Sequence, residues 1–211
     1  MITLYAAPLQ GFTELAWRNA HAQVFGGIDA YYTPFVRLEK GEIHNKYKRE
    51  LLPAGNTVSR LIPQIVAAEP DEFRMLVEQI SGWGYREIDL NMGCPFPLIV
   101  NRRKGSGILP FPDEVAALLH EMETFPEIRF SVKMRLGWER ADEWREILPL
   151  LNESCVRQIT LHPRIGRQQY EGTVDREAFT AFYEGCRLPL VYNGDLRTQE
   201  EMQELLQAYP R

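Results

Sequence analysis

The 211-residue sequence is 45% hydrophobic and 11% aromatic, enough apolar material for one sizeable core, so a single domain over residues 1–211 is expected. A formal net charge of −5 speaks against a general nucleic-acid coat, which draws its affinity from excess Lys and Arg, but leaves room for local basic patches. Three cysteines without a CxxC pair argue against a disulfide framework and a cysteine-rich zinc site, and no run approaches the ~18 apolar residues of a membrane span. The expectation is a soluble, cytoplasmic protein with no metal and no membrane attachment.

Short apolar runs suited to buried parallel strands recur along the chain: Ile2 to Ala7, Ala30 to Thr33, Leu61 to Ile65, Glu87 to Leu90, Phe130 to Met134, Gln158 to Leu161 and Leu188 to Tyr192. Helix-like segments lie between them, at Asp71 to Trp83, Pro112 to Thr124, Ala141 to Leu148, Asp175 to Glu184 and Thr198 to Ala208, several opened by a capping residue or an early proline. Strand followed by helix, repeated, spells βα units.

Polar or special residues stand at the strand ends, namely Pro34, Gln64, Asn91, Lys133, His162 and Asn193. They recur at intervals of about 30 residues, the length of a βαβ unit. The longer interval from Asn91 to Lys133 contains Cys94 and the tripeptide Gly105 to Gly107, which reads as a loop over a site. Functional residues at nearly every strand end point to a (β/α)8 TIM barrel, an α/β fold that builds its site at that face. About seven βα units are present, and an eighth strand would fall about 30 residues past Asn193. An open doubly wound sheet is the competing architecture, but it concentrates its site at one crevice.

The stretch DLNMGCP, Asp89 to Pro95, ends an apolar strand in an asparagine and a turn expected to leave the Cys94 thiol facing open space. With an ordinary pKa of about 8.5, such a thiol is mostly protonated at neutral pH and can donate a proton. Taken singly, Cys94 fits a half-buried strand-end cysteine, Lys133 a surface charge, His162 a structural histidine and Gln64 an interior polar residue. Two basic segments, His44 to Arg49 and Asn101 to Lys104, read on charge pattern as solvated loops. Trp17, Trp83, Trp138 and Trp144 read as packing residues in helix-like segments.

Seven ordered segments carry a resemblance: AAPLQGFTE from Ala6, LIPQI from Leu61, DLNMGCP, KGSGIL from Lys104, VKMRLG from Val132, TLHPR with RQQYEG between Thr160 and Gly172, and VYNGD from Val191. In order and spacing they resemble the tRNA-dihydrouridine synthases, flavin enzymes on a (β/α)8 barrel that reduce particular uridines in tRNA. The resemblance implies an FMN site lined by Pro8, Leu9, Gln10, Gln64, Lys133, His162, Asn193, Gly194 and Asp195. It implies Cys94 as the acid and NADPH as the reductant that reloads the flavin. From their positions at and after the strand ends, rather than from the resemblance, Asn91 and Arg102, Arg103, Lys104, Arg135, Arg164 and Arg167 are the residues expected to hold the substrate tRNA. These residue types suit such chemistry, since a fixed cation stabilises a negatively charged reduced flavin and an amide matches the alternating carbonyl and N–H edge of its ring.

The family's flavin-phosphate turn, after the eighth strand, and its helical tRNA-binding domain have no counterpart in these residues, so a fragment of a longer enzyme is expected, with free barrel edges open to self-association. Two alternatives stand beside the main reading: an FMN-dependent reductase of a free pyrimidine or small enone, and a non-catalytic remnant that binds RNA or a partner.

Overall fold

A computed structural model of the chain describes residues 2–210. Seven parallel staves follow chain order: β1 (Tyr5–Ala6), β2 (Ala30–Tyr32), β3 (Leu61–Ile62, resuming at Gln64–Ile65), β4 (Glu87–Met92), β5 (Arg129–Gly137), β6 (Gln158–Ile165) and β7 (Leu190–Tyr192). Each hydrogen-bonds to its neighbour in sequence, always parallel. The break in β3 falls at Pro63, which has no N–H for a ladder; Leu61–Ile62 pairs with β2 and Gln64–Ile65 with β4.

The staves curl around a hollow. In a flat sheet β1 and β6 would lie about 24 Å apart, five spacings of ~4.8 Å. Here the Tyr5 hydroxyl donates to Gln158 Oε1 at 3.3 Å, and Gln158 Nε2 donates to the Tyr32 hydroxyl at 3.2 Å, so β1 and β2 touch β6 across the interior. Such contacts require the sheet to curl round as the staves of a TIM barrel do. Among the described residues no ladder joins β7 to β1.

Helices α1 (Leu15–Val24), α2 (Asn45–Leu51), α3 (Pro70–Gly82), α4 (Pro112–Glu123), α5 (Trp144–Asn152), α6 (Arg176–Gly185) and α7 (Gln199–Ala208) form the outer layer. α3 and α4 each begin with a proline and two acidic residues, favourable at the positive end of a helix dipole. Asp175 caps α6 by accepting from Ala178 N at 2.8 Å, and Thr198 with Glu201 forms a capping box on α7. α3 buries Phe73, Leu76, Val77 and Ile80, the helical spacing of a single face, and Phe73 meets Phe130 of β5 with ring centroids 5.5 Å apart.

α1 and α2 are not among the helices expected from the sequence. Their inner faces are partly polar: Arg18 of α1 is fully buried and pairs with Glu50 of α2 at 3.1 Å, while Trp17, Val24 and Phe25 stay exposed. The basic run His44 to Arg49 is therefore mostly helix, opened by His44 accepting from Lys46 N, rather than a loop. Trp17 lies in a helix but is exposed, against the packing role expected of it; Trp138 lies just after β5 rather than in a helix yet packs its ring on Gly166, and Trp144 is buried against Phe182. Among the described residues no helix is long and apolar enough to cross a membrane.

Candidate active site

At the carboxyl ends of the staves a cavity of about 340 Å³ opens between the βα loops. Its wall contains Cys94, Asn91, Arg135 and Arg164 together with every residue expected to line a cofactor site: Pro8, Leu9, Gln10, Gln64, Lys133, His162, Asn193, Gly194 and Asp195. Parallel strands ending at one rim converge their last side chains on one hollow, which is why residues so far apart in sequence share it.

A polar chain under the floor holds the Cys94 turn. The buried Asp89 carboxylate accepts from Ser131 Oγ at 2.6 Å and from Gln64 Nε2 at 2.7 Å. A carboxylate there can only accept, so the Gln64 amide is oriented with its oxygen toward Asn91, whose Nδ2 donates to it at 2.8 Å. Asn91 Oδ1 then accepts from the backbone N–H groups of Gly93 (3.0 Å) and Cys94 (2.8 Å), fixing the turn. From above, Ser106 donates its N–H and hydroxyl to the Cys94 carbonyl, both at 3.0 Å. Gly105 stands at φ +58°, and a Cβ there would lie 2.6 Å from that same carbonyl oxygen. The glycine lets the loop close over the cysteine.

Cys94 is buried, 7% exposed, and does not face open space as its sequence context suggests, because the 97–108 segment folds over the turn. Burial pushes its thiol above the ordinary value, against the smaller opposing effects of a backbone hydrogen bond at Phe96 and the charges of Arg135 and Lys133, so the group is a thiol at neutral pH. Lys133 is half-buried, and desolvation lowers its ammonium to about 8 although Asp89 pulls the other way. The ammonium makes no hydrogen bond or ion pair with any described residue, which leaves its donors for a ligand. Asp89 itself is raised to about 6 by burial, against the opposing effects of its hydrogen bonds and Lys133.

The cationic residues expected at the RNA side divide into two groups. Arg135 donates to the carbonyls of Gly93 (3.0 Å) and Ile165 (2.9 Å) and lies 5.5 Å from the Tyr170 ring centroid, at the cavity wall. Arg164 is buried among internal partners. Outside the cavity wall, Arg103 pairs with Glu114 and covers Phe111, Lys104 pairs with Glu72, and Arg167 pairs with Glu139 at 2.5 Å; Arg102 is exposed and its guanidinium has no partner among the described residues. Tyr170, Phe96 and Thr13 also line the cavity and are not singled out by the sequence, although Tyr170 lies within the RQQYEG segment. Asp89 and Ser131, beneath the floor, escape it as well.

The donor set has a definite chemical character: an unpaired ammonium, four carboxamides (Gln10, Gln64, Asn91 and Asn193), an imidazole and a thiol around one hollow, with backbone and apolar surface from Pro8 and Leu9. It fits a flat, amide-edged, anionic ring, and among the described residues no cluster of His, Cys, Asp or Glu could hold a metal.

The family model "Dihydrouridine synthase (Dus)" matches residues 5–209. A "Probable tRNA-dihydrouridine synthase" of Rhizobium leguminosarum bv. phaseoli is 35% identical over 201 residues, covering 95% of this chain and 62% of the relative. The "tRNA-dihydrouridine synthase B" of Pasteurella multocida (strain Pm70) is 23% identical over 204 residues, covering 96% and 61%. The chain thus spans about three fifths of the length of these relatives. Among solved structures, a GH18 chitinase from Pseudoalteromonas aurantia superposes with a TM-score of 0.51 at 9% identity, over 90% of this chain and 79% of that one, a likeness of fold alone. With a family match over nearly its whole length, the chain belongs to the dihydrouridine synthase family.

Proposed function

We propose that this barrel is the catalytic part of an FMN-dependent tRNA-dihydrouridine synthase. The observation that carries the reading is the meeting of Cys94, Lys133, His162, Gln64 and Asn193 at one cavity. FMN, reloaded by NADPH, would supply the hydride that saturates the uracil 5,6-bond at carbon 6. Lys133 offers its ammonium to the charge that a reduced flavin carries, Asn193 offers a paired donor and acceptor to the ring edge, and Gln64, already bound to Asp89 and Asn91, offers its second N–H. Pro8, Leu9 and Gln10 close one side, and Gly194 and Asp195 the other.

As carbon 5 gains electron density, Cys94 Sγ gives it a proton; the raised thiol pKa keeps that proton in place until it is needed. Asn91 holds the cysteine turn by its Oδ1, and Arg135 braces it through the Gly93 carbonyl. The target uridine must leave its stack to reach the floor, at a cost of a few kcal/mol that is smallest in a strained loop. Arg102 is the cation best placed to meet RNA phosphate without first breaking an ion pair, whereas Arg103, Lys104 and Arg167 must exchange Glu114, Glu72 and Glu139 for it.

The test is uridine reduction in tRNA by the purified chain with FMN and NADPH, read as the gain of two hydrogens in the nucleoside mass. Conversion by the wild type and none by Cys94→Ala is expected. Equal turnover by both would remove Cys94 from the acid role, and turnover of free uracil without any of tRNA would move the assignment to a small-molecule reductase.

A further inference from the structure

His162 and Arg164 lie two residues apart on β6, and Arg164 Nη1 is 3.0 Å from His162 Nε2. A guanidinium carries donors only, so Nε2 must be the acceptor and the ring is neutral with its proton on Nδ1. The remaining terminal hydrogens of Arg164 are also taken. Nη1 donates to Asp195 Oδ1 at 3.2 Å, and Nη2 donates to Asp195 Oδ2 at 2.5 Å and to the Gly172 carbonyl at 2.7 Å. With its side chain 3% exposed and its fork gripped on both oxygens of one carboxylate, Arg164 has no room to turn away.

The Asn193–Asp195 turn backs the same ring. A Cβ on Gly194 would stand 3.2 Å from His162 Cδ2, so Gly194 lets that turn lie flat against the imidazole. The charged groups facing His162 are Arg135, Lys133 and Arg164, all positive, and Asp195, negative; burial and the three cations outweigh the carboxylate and hold the imidazole down to about 3. No described residue accepts from Nδ1.

We propose that Arg164 is a positioning residue which, held by Asp195, locks His162 in the Nδ1–H tautomer, so that the ring offers the cavity's ligand one permanent donor and never an acceptor. The ligand atom opposite His162 is then an oxygen or an unprotonated nitrogen, such as a flavin carbonyl or a ribityl hydroxyl accepting a hydrogen bond. The identity of that ligand rests on the flavin reading; the tautomer does not.

The experiment is long-range proton–nitrogen NMR on the ¹⁵N-histidine-labelled chain without ligand, with His162 assigned by its loss in His162→Gln. The expected signature is a protonated Nδ1 and an unprotonated Nε2, unchanged from about pH 8 to about pH 5, the range over which a free imidazole becomes charged. In Arg164→Met, checked by circular dichroism for retained fold, the ring is expected to populate both tautomers and to charge within that range. If Arg164→Met does not fold, Asp195→Asn, which keeps both partners but loosens the grip, is expected to shift the signature in the same direction. A protonated Nε2 or a charged ring in the wild type at neutral pH overturns the proposal, as does an unchanged signature in a folded variant. A parallel FMN titration separates the two ideas: the expected tautomer without flavin binding would sink the flavin reading alone, and flavin binding with the wrong tautomer would sink this one alone.

Discussion

The middle and the flanks of the barrel are built differently. Staves β4, β5 and β6 run six, nine and eight residues and are buried almost throughout; β1, β2 and β7 run two, three and three, and neither β1 nor β7 contains a buried residue. Most cavity groups with shifted proton affinity, Cys94, Lys133, Arg135 and His162, belong to the middle, as does Asp89 beneath the floor; Asp195, held below its ordinary value by Arg164, belongs to the flank. The flanks contribute Pro8, Leu9, Gln10 and the Asn193–Asp195 turn. Chemistry that needs fixed distances and low solvation sits where the ladder is longest, while the parts that bracket a ligand sit where backbone can move.

The largest expected effect that sharpens this contrast is at Cys94: Cys94→Ala should lower uridine turnover about 10²- to 10⁴-fold, the usual range for a general acid, while leaving flavin binding in place. A loss confined to flavin binding would make the thiol a wall residue. Next is Lys133→Met, which removes a charged donor worth about 1.5–3 kcal/mol and should weaken flavin binding roughly 10- to 100-fold. The same ammonium gives a pH dependence. Its proton is present below about 8, so affinity for the anionic reduced flavin should be full there and fall as pH rises through that value, and Lys133→Met should flatten the profile. Gly105→Ala follows: a Cβ 2.6 Å from the Cys94 carbonyl, at positive φ, should lower stability by about 1–3 kcal/mol, measured as a shift of the denaturation midpoint. An unchanged midpoint would mean that the loop over Cys94 has slack.

The smallest effect belongs to the flank. Phe25→Ser, at a position 77% exposed on the end of α1, should change stability by no more than about 0.5 kcal/mol. We propose that the free edges of β1 and β7 and this apolar patch are where copies of the chain would associate; a larger loss that grows with protein concentration would show that the flank is covered in solution.

The sequence exposes the fold and the site unevenly, for physical reasons. Buried parallel strands are near-continuous apolar runs, so all seven staves are legible, and a barrel collects polar residues at one rim, so Gln64, Lys133, His162 and Asn193 are legible too. β5 and β6 run further than their apolar stretches because the ladder continues past them through Arg135 and His162, whose side chains line the cavity, to Gly137 and Ile165. α1 and α2 escape notice because the buried residues on their shared face include the ion pair Arg18–Glu50, 32 residues apart, which leaves α1 with no buried apolar side chain and α2 with only Tyr47 and Leu51 as an apolar signal. Separation in sequence, 32 residues for Lys104 with Glu72 and 11 for Arg103 with Glu114, likewise hides the pairings that turn apparent phosphate ligands into partners of helices α3 and α4. Asp89 lies in plain view within DLNMGCP, but only three-dimensional contact with Ser131 and Gln64 shows that it supports the floor.

The central claim, that one rim hollow is a flavin-ring site, is tested most directly by fluorescence titration of the chain with FMN and with riboflavin, which presents the same ring without a phosphate. One equivalent of either flavin is expected to bind, with affinity falling in Lys133→Met and persisting in Cys94→Ala. Absence of binding by both flavins, or binding indifferent to Lys133→Met, would contradict it.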